Sequence, residues 1–151
     1  MSEPIILNDE AATRALGVWL APQLRAGDIV ALSGGLGVGK TTLTRALLEA
    51  LGLVGEAPSP TFAIVHMYEA GEVRFPVAHA DLYRLDGPQD VVELGLDEWL
   101  DHGALIAEWP DRLPEAWQHE ALWLELVETR DGARELTARV PPAWKDRWST
   151  R

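Results

Sequence analysis

Cysteine is absent from the 151 residues. Its absence removes disulfides, thiolate zinc sites, iron–sulfur clusters, thioredoxin-type redox centres and cysteine nucleophiles together. Basic residues are scarce, with 13 Lys and Arg against 24 Asp and Glu and a formal charge of -11. Such a chain repels a phosphate backbone, which argues against an extended direct grip on nucleic acid. No apolar run approaches the roughly 18–20 residues that span a bilayer, and residues 1–10 lack the basic and apolar regions of a signal peptide. The expectation is a soluble, cytoplasmic protein without a membrane segment. What is plentiful is apolar material: 47% of the residues are hydrophobic. That suffices for the core of one domain of this length. No repeat, linker or low-complexity tract interrupts it, and Pro141-Pro142 marks the expected end of a compact domain over residues 1–141, leaving 142–151 as a tail.

Residues 8–24 open on a candidate N-cap, Asn8, followed by acids where a helix dipole favours them, and carry Ala12, Leu16, Trp19 and Leu20 at helical spacing. An amphipathic helix is predicted there. The run Ile29-Val30-Ala31-Leu32 is short, apolar and followed by glycines, the pattern of a buried strand. Residues 40–51 place Leu43, Ala46, Leu47, Ala50 and Leu51 on one helical face, with Gly52 as the stop. Further along, 61–68 and 73–80 read as a hairpin around 69–72, with Pro76 weakening the second strand or placing it at an edge. Short helices are expected from Gly87-Pro88 to Leu94 and over 97–100, a strand over 104–107 ending at Glu108, and a terminal strand pair, 122–128 and 135–140. The order predicts a three-layer α/β domain whose mainly parallel sheet carries antiparallel additions.

Between the first apolar strand and its helix, Gly34-Gly35-Leu36-Gly37-Val38-Gly39-Lys40-Thr41 fits G-x-x-x-x-G-K-[ST], the phosphate-binding loop. Glycines let the backbone wrap closely, so that amide N–H groups and the positive helix end face a phosphate. Lys40, one of only two lysines, would reach the β- and γ-phosphates and the Thr41 hydroxyl would coordinate Mg²⁺. Glu108, at the end of Ala104-Leu105-Ile106-Ala107, and Asp81, after Val77-Ala78-His79-Ala80, are candidate acids at strand ends. Taken singly, each is equally a solvated acid. Ser59-Pro60-Thr61-Phe62 stands where a loop can sense the γ-phosphate. Trp109 either stacks on a base or packs, and His79 either fills the core or touches phosphate. No Asn-Lys-x-Asp tetrapeptide is present to read guanine, which leans the loop toward ATP.

Taken together, Gly34 to Thr42, Ser59-Pro60-Thr61-Phe62, His79-Ala80-Asp81-Leu82-Tyr83-Arg84-Leu85 and Glu108-Trp109-Pro110 resemble, in order and spacing, the TsaE family of small P-loop ATPases. The resemblance implies a P-loop NTPase fold and an ATP site in which Leu36, Gly37, Val38, Gly39, Lys40, Thr41 and Thr42 hold the phosphates. Thr41 and Glu108 would bind Mg²⁺, and Asp81 would support hydrolysis by positioning water or by orienting the metal shell. Trp109 would lie near the nucleotide, Glu10 and Thr13 would approach its base, and Arg134 would match a late arginine that contacts it. Gly35 departs from the family, which usually has Asp, Asn or Glu there, and Trp144-Lys145-Asp146-Arg147-Trp148 matches no family motif that we can name. The implied role is ATP hydrolysis that resets the TsaD–TsaB pair between turnovers as it makes threonylcarbamoyladenosine in tRNA, so tRNA is met only through the complex. A small-molecule kinase and a nucleotide-sensing module without turnover are the rival readings.

Overall fold

The structure, a computed structural model, describes residues 4–35, 37–55, 57 and 64–151. Among these the chain runs β1 (Ile5–Leu7), α1 (Glu10–Leu20), β2 (Ile29–Ser33), α2 (Lys40–Ala50), β3 (Val65–Tyr68), β4 (Val77–Asp81), α3 (Pro88–Glu93), α4 (Leu96–Trp99), β5 (Ala104–Glu108), α5 (Glu115–Glu120), β6 (Leu122–Glu128), β7 (Arg134–Arg139) and α6 (Lys145–Trp148). The strands form one sheet in the order β1-β7-β6-β2-β5-β4-β3. Its centre, β6-β2-β5-β4, is parallel, while β7, β1 and β3 add antiparallel edges. This is the expected mixed α/β fold.

Both faces of β2, β4 and β5 are covered, as their mostly apolar runs require, whereas β6 alternates buried and exposed residues. Side chains alternate in direction along a strand. Val30 and Leu32 therefore join one core cluster with Leu16, Leu20, Leu43 and Leu47 of α1 and α2. Ile29 and Ala31 join the other with Val91, Leu96 and Trp99 of α3 and α4. Helices α1 and α2 approach almost backbone to backbone, since a Cβ on Gly17 would stand 2.3 Å from the Leu43 carbonyl oxygen. That contact fixes α2, and with it the loop before it.

Several expected boundaries move. The N-cap of α1 is Asp9 in place of Asn8: its extended backbone lets the carboxylate accept from the Ala12 N–H at 2.9 Å. The helix stops at Leu20 because Pro22, which has no N–H to donate, sits in the 3-10 turn Ala21–Gln23. Pro76 lies just before β4, and β4 is an interior strand flanked by β3 and β5; the edge is β3. The hairpin connection spans 69–76, because Tyr68 pairs with Val77. The strand β1 and helix α5 had no periodic signal in their three and six residues. No described helix is long and apolar enough to cross a membrane.

The largest correction concerns residues 142–151, which do not form a loose tail. Pro142 starts a 3-10 turn that leads straight into α6. Arg147, 7% exposed, donates through Nη1 and Nη2 to the two carboxylate oxygens of Asp28 at 2.6 and 3.0 Å. It also reaches the carbonyls of Gln23 and Ala143 and lies 3.8 Å from the ring centroid of Trp144. Trp148 packs edge-on against Trp19 with centroids 5.6 Å apart. The compact unit thus extends through α6, and two of the late tryptophans are core residues. Replacing Arg147 with Ala would strand a buried carboxylate. We expect Arg147→Ala to lower the unfolding free energy by about 3–5 kcal/mol, read from denaturant curves; an unchanged midpoint would show that the C-terminal segment does not support the core.

Candidate functional site

The parallel strands β2, β4 and β5 end side by side, and their registers pair Leu32 with Glu108 and Glu108 with Asp81. Open α/β sheets bind ligands beyond the carboxyl ends of such strands. Here β2 leads into the glycine loop and then into α2. Gly37 (φ 76°) and Gly39 (φ 108°) are left-handed, conformations costly for a residue with a Cβ. Gly34 passes so close to β6 that a Cβ would stand 2.5 Å from the Leu126 carbonyl oxygen. Gly39 is the N-cap of α2 and has no side chain to bond the helix's first N–H groups. Lys40, Thr41 and Thr42 of that first turn line the cleft.

Lys40, 6% exposed, donates from Nζ to the Gly34 carbonyl at 2.8 Å and lies 3.9 Å from Glu108 Oε1. The other Glu108 oxygen, Oε2, is 2.8 Å from His79 Nε2. Glu108 is itself 6% exposed. A buried carboxylate is tolerable because a cation and a hydrogen-bonding ring share its charge. Asp81 accepts from the Tyr83 N–H at 3.1 Å through Oδ1, which braces the carboxylate beside Glu108.

Trp109 is the one non-glycine residue with positive φ among those described, at φ 56°. Proline at 110 disfavours the right-handed helical region for the residue before it, and the left-handed turn sends the chain sharply into the 3-10 segment Pro110–Arg112. The indole that results stands at the mouth of the cleft, with the Tyr83 ring 4.8 Å away and Lys40 Nζ 5.8 Å from its centroid. Arg134 donates through Nε to the Val38 carbonyl at 3.2 Å and through Nη2 to the Gly37 carbonyl at 3.1 Å, and pairs with Glu128 at 3.4 Å. It therefore ties β7 to the loop. Thr13 presses on the loop from α1, since a Cβ on Gly39 would meet its Cγ2 at 3.3 Å.

Glu10, Thr13, Gly37, Val38, Gly39, Lys40, Thr41, Thr42, Asp81, Glu108, Trp109 and Arg134 all line one cleft of about 360 Å³. Leu36 and the segment 59–62 lie outside the described residues. Leu7, Asp9 and Gly132 also line the cleft and were not foreseen. Only the Asp131-Gly132 turn signal could have pointed to the last. Among the described residues no group of three or more His, Asp or Glu could hold a metal ion by itself.

The family model of the threonylcarbamoyl adenosine biosynthesis protein TsaE matches residues 7–136. The tRNA threonylcarbamoyladenosine biosynthesis protein TsaE of Streptomyces coelicolor is 41% identical over 142 residues, which cover 91% of this chain and 94% of that one. Its counterpart in Bacillus subtilis is 35% identical over 126 residues, 83% and 77% of the two chains. The crystal structure of Bacillus subtilis YdiB superposes with a TM-score of 0.71 at 29% identity, covering 90% of this chain and 83% of that one. Likeness of this extent, spanning the loop, both strand-end acids and Arg134, makes the chain a member of the TsaE family, whose proteins take part in tRNA threonylcarbamoyladenosine biosynthesis.

Proposed function

We propose that the protein is a Mg²⁺-dependent ATPase that serves the TsaD–TsaB complex of that pathway. The observation that carries the reading is the buried Lys40–Glu108 pair, set at 3.9 Å beneath the glycine loop. Those residues fit a nucleotide and its metal. The left-handed glycines leave room for a phosphate against the backbone, and the uncapped N-terminus of α2 offers donors to it. The donor set also suits Mg²⁺, which is commonly held by one or two carboxylates with substrate phosphates and water completing its shell. Thr41 and Glu108 would hold it, with Asp81 orienting its hydration shell or the attacking water. When bound, the ion supplies positive charge to the phosphate oxygens.

In hydrolysis Lys40 exchanges the Gly34 carbonyl for phosphate oxygens, bringing a fixed cation to the charge that develops on them. Glu10 and Thr13 border the base, and Trp109 offers it a face. Arg134 works through the loop, by holding the Gly37 and Val38 carbonyls in place. A kinase would need further cations around a phosphoryl acceptor. Arg134 is the single arginine lining the cleft among the described residues, and it is committed to the loop carbonyls. The charge of -11 suits a protein that docks on other proteins and leaves the tRNA phosphates to them.

Lys40→Ala is expected to reduce phosphate release from Mg·ATP by about a thousandfold while the fold survives. Full hydrolysis in that variant would refute the site. Arg134→Ala, which frees the loop without removing a phosphate ligand, should raise KM about tenfold and leave kcat within a few-fold. A fall in kcat with unchanged KM would instead place its guanidinium on the transition state.

A further inference from the structure

His79 belongs to none of the roles above. It sits on β4, 2% exposed, and does not line the cleft. We infer that His79 is the positioning residue for Glu108: its Nε2–H holds Oε2 and thereby aims Oε1 toward the ion-binding side of the cleft. The inference rests on the proposed role of Glu108 as a metal-binding carboxylate.

The strand register produces the contact. His79 lies opposite Ile106, two residues before Glu108 on the neighbouring parallel strand, and both side chains project to the same face. The 2.8 Å separation is that of a full hydrogen bond. An ionised carboxylate only accepts, so the proton of this bond resides on Nε2. The second ring nitrogen, Nδ1, is buried and has no partner among the described residues. An aliphatic side chain would fill the same place without burying an unsatisfied nitrogen. What the imidazole adds is the bond to Glu108. The other hold on that carboxylate is Lys40, on a flexible stem that must turn to phosphate when nucleotide binds. At that moment the bond from His79, a side chain fixed in the core, still keeps Glu108 from swinging. Partners of this kind behind a metal ligand commonly govern metal affinity by tenfold to a hundredfold.

The test compares His79→Gln, whose amide nitrogen can approach the Nε2 position, with His79→Asn, whose shorter side chain leaves its amide near the Nδ1 position. ATP affinity is measured by calorimetry at increasing Mg²⁺ concentrations and in chelator, alongside the thermal midpoint of each unliganded variant. We expect unchanged affinity in chelator for both variants, a Mg²⁺ midpoint raised at least tenfold in His79→Asn, and one within about threefold of wild type in His79→Gln. His79→Leu gives the same reading if the Asn variant does not fold. Equal Mg²⁺ midpoints in all folded variants, or an equal loss of affinity in chelator, would overturn the inference and leave His79 a core residue. Wild-type affinity indifferent to Mg²⁺ would instead refute the reading of Glu108 on which the inference stands.

Discussion

The buried pair of Lys40 and Glu108 ties two distant parts of the chain to one point, the start of α2 and the end of β5. Each charge is stabilised there by the other, with His79 also bonded to the carboxylate, and each is placed by backbone that has little freedom. Lys40 follows a left-handed glycine, and Glu108 ends a strand whose five residues are all buried. Parallel pairing of β2 with β5 and of β5 with β4 then brings Asp81 and the loop to the same edge. The positions of Asp81 and Glu108 are therefore a consequence of sheet register, and a slip of one residue in β4 or β5 would turn the acid of that strand to the opposite face.

Around that point the structure is braced from several directions. Arg134 reaches from β7 to the loop carbonyls, Thr13 presses from α1, and the close approach at Gly17 locks α1 to α2. On the far side, Arg147 ties α6 to Asp28 at the entrance to β2. The matched family region ends at residue 136, so this last brace is supplied by sequence beyond it. Rigid surroundings of this sort reduce what must be ordered when a nucleotide binds. Trp109 is the exception, held in a conformation that costs energy at the mouth of the cleft.

Much of this was legible in the residues. The loop's glycine spacing, the apolar runs ending at Asp81 and Glu108, and the helical periodicity of α2 are local signals, and each element formed where they pointed. Asn8 and Asp9 are comparable caps by type, so only backbone geometry distinguished them. The Arg147–Asp28 pair joins residues 119 apart in the chain, and no periodicity announces it. Two prolines at 141 and 142 therefore read as an ending where the chain was only turning. The bond from His79 to Glu108 depends on the register of β4 against β5, which sequence pattern does not specify. Arg134 was expected against nucleotide; its bonds to the loop carbonyls became visible only with the β6–β7 hairpin in place.

We propose that this cleft hydrolyses ATP in the service of partner proteins. The decisive measurement is Mg²⁺-dependent phosphate release by the protein alone and with purified TsaD and TsaB. Slow release alone and stimulation of at least tenfold by the pair are expected. Release that the partners leave unchanged, together with no detectable association, would contradict the proposal.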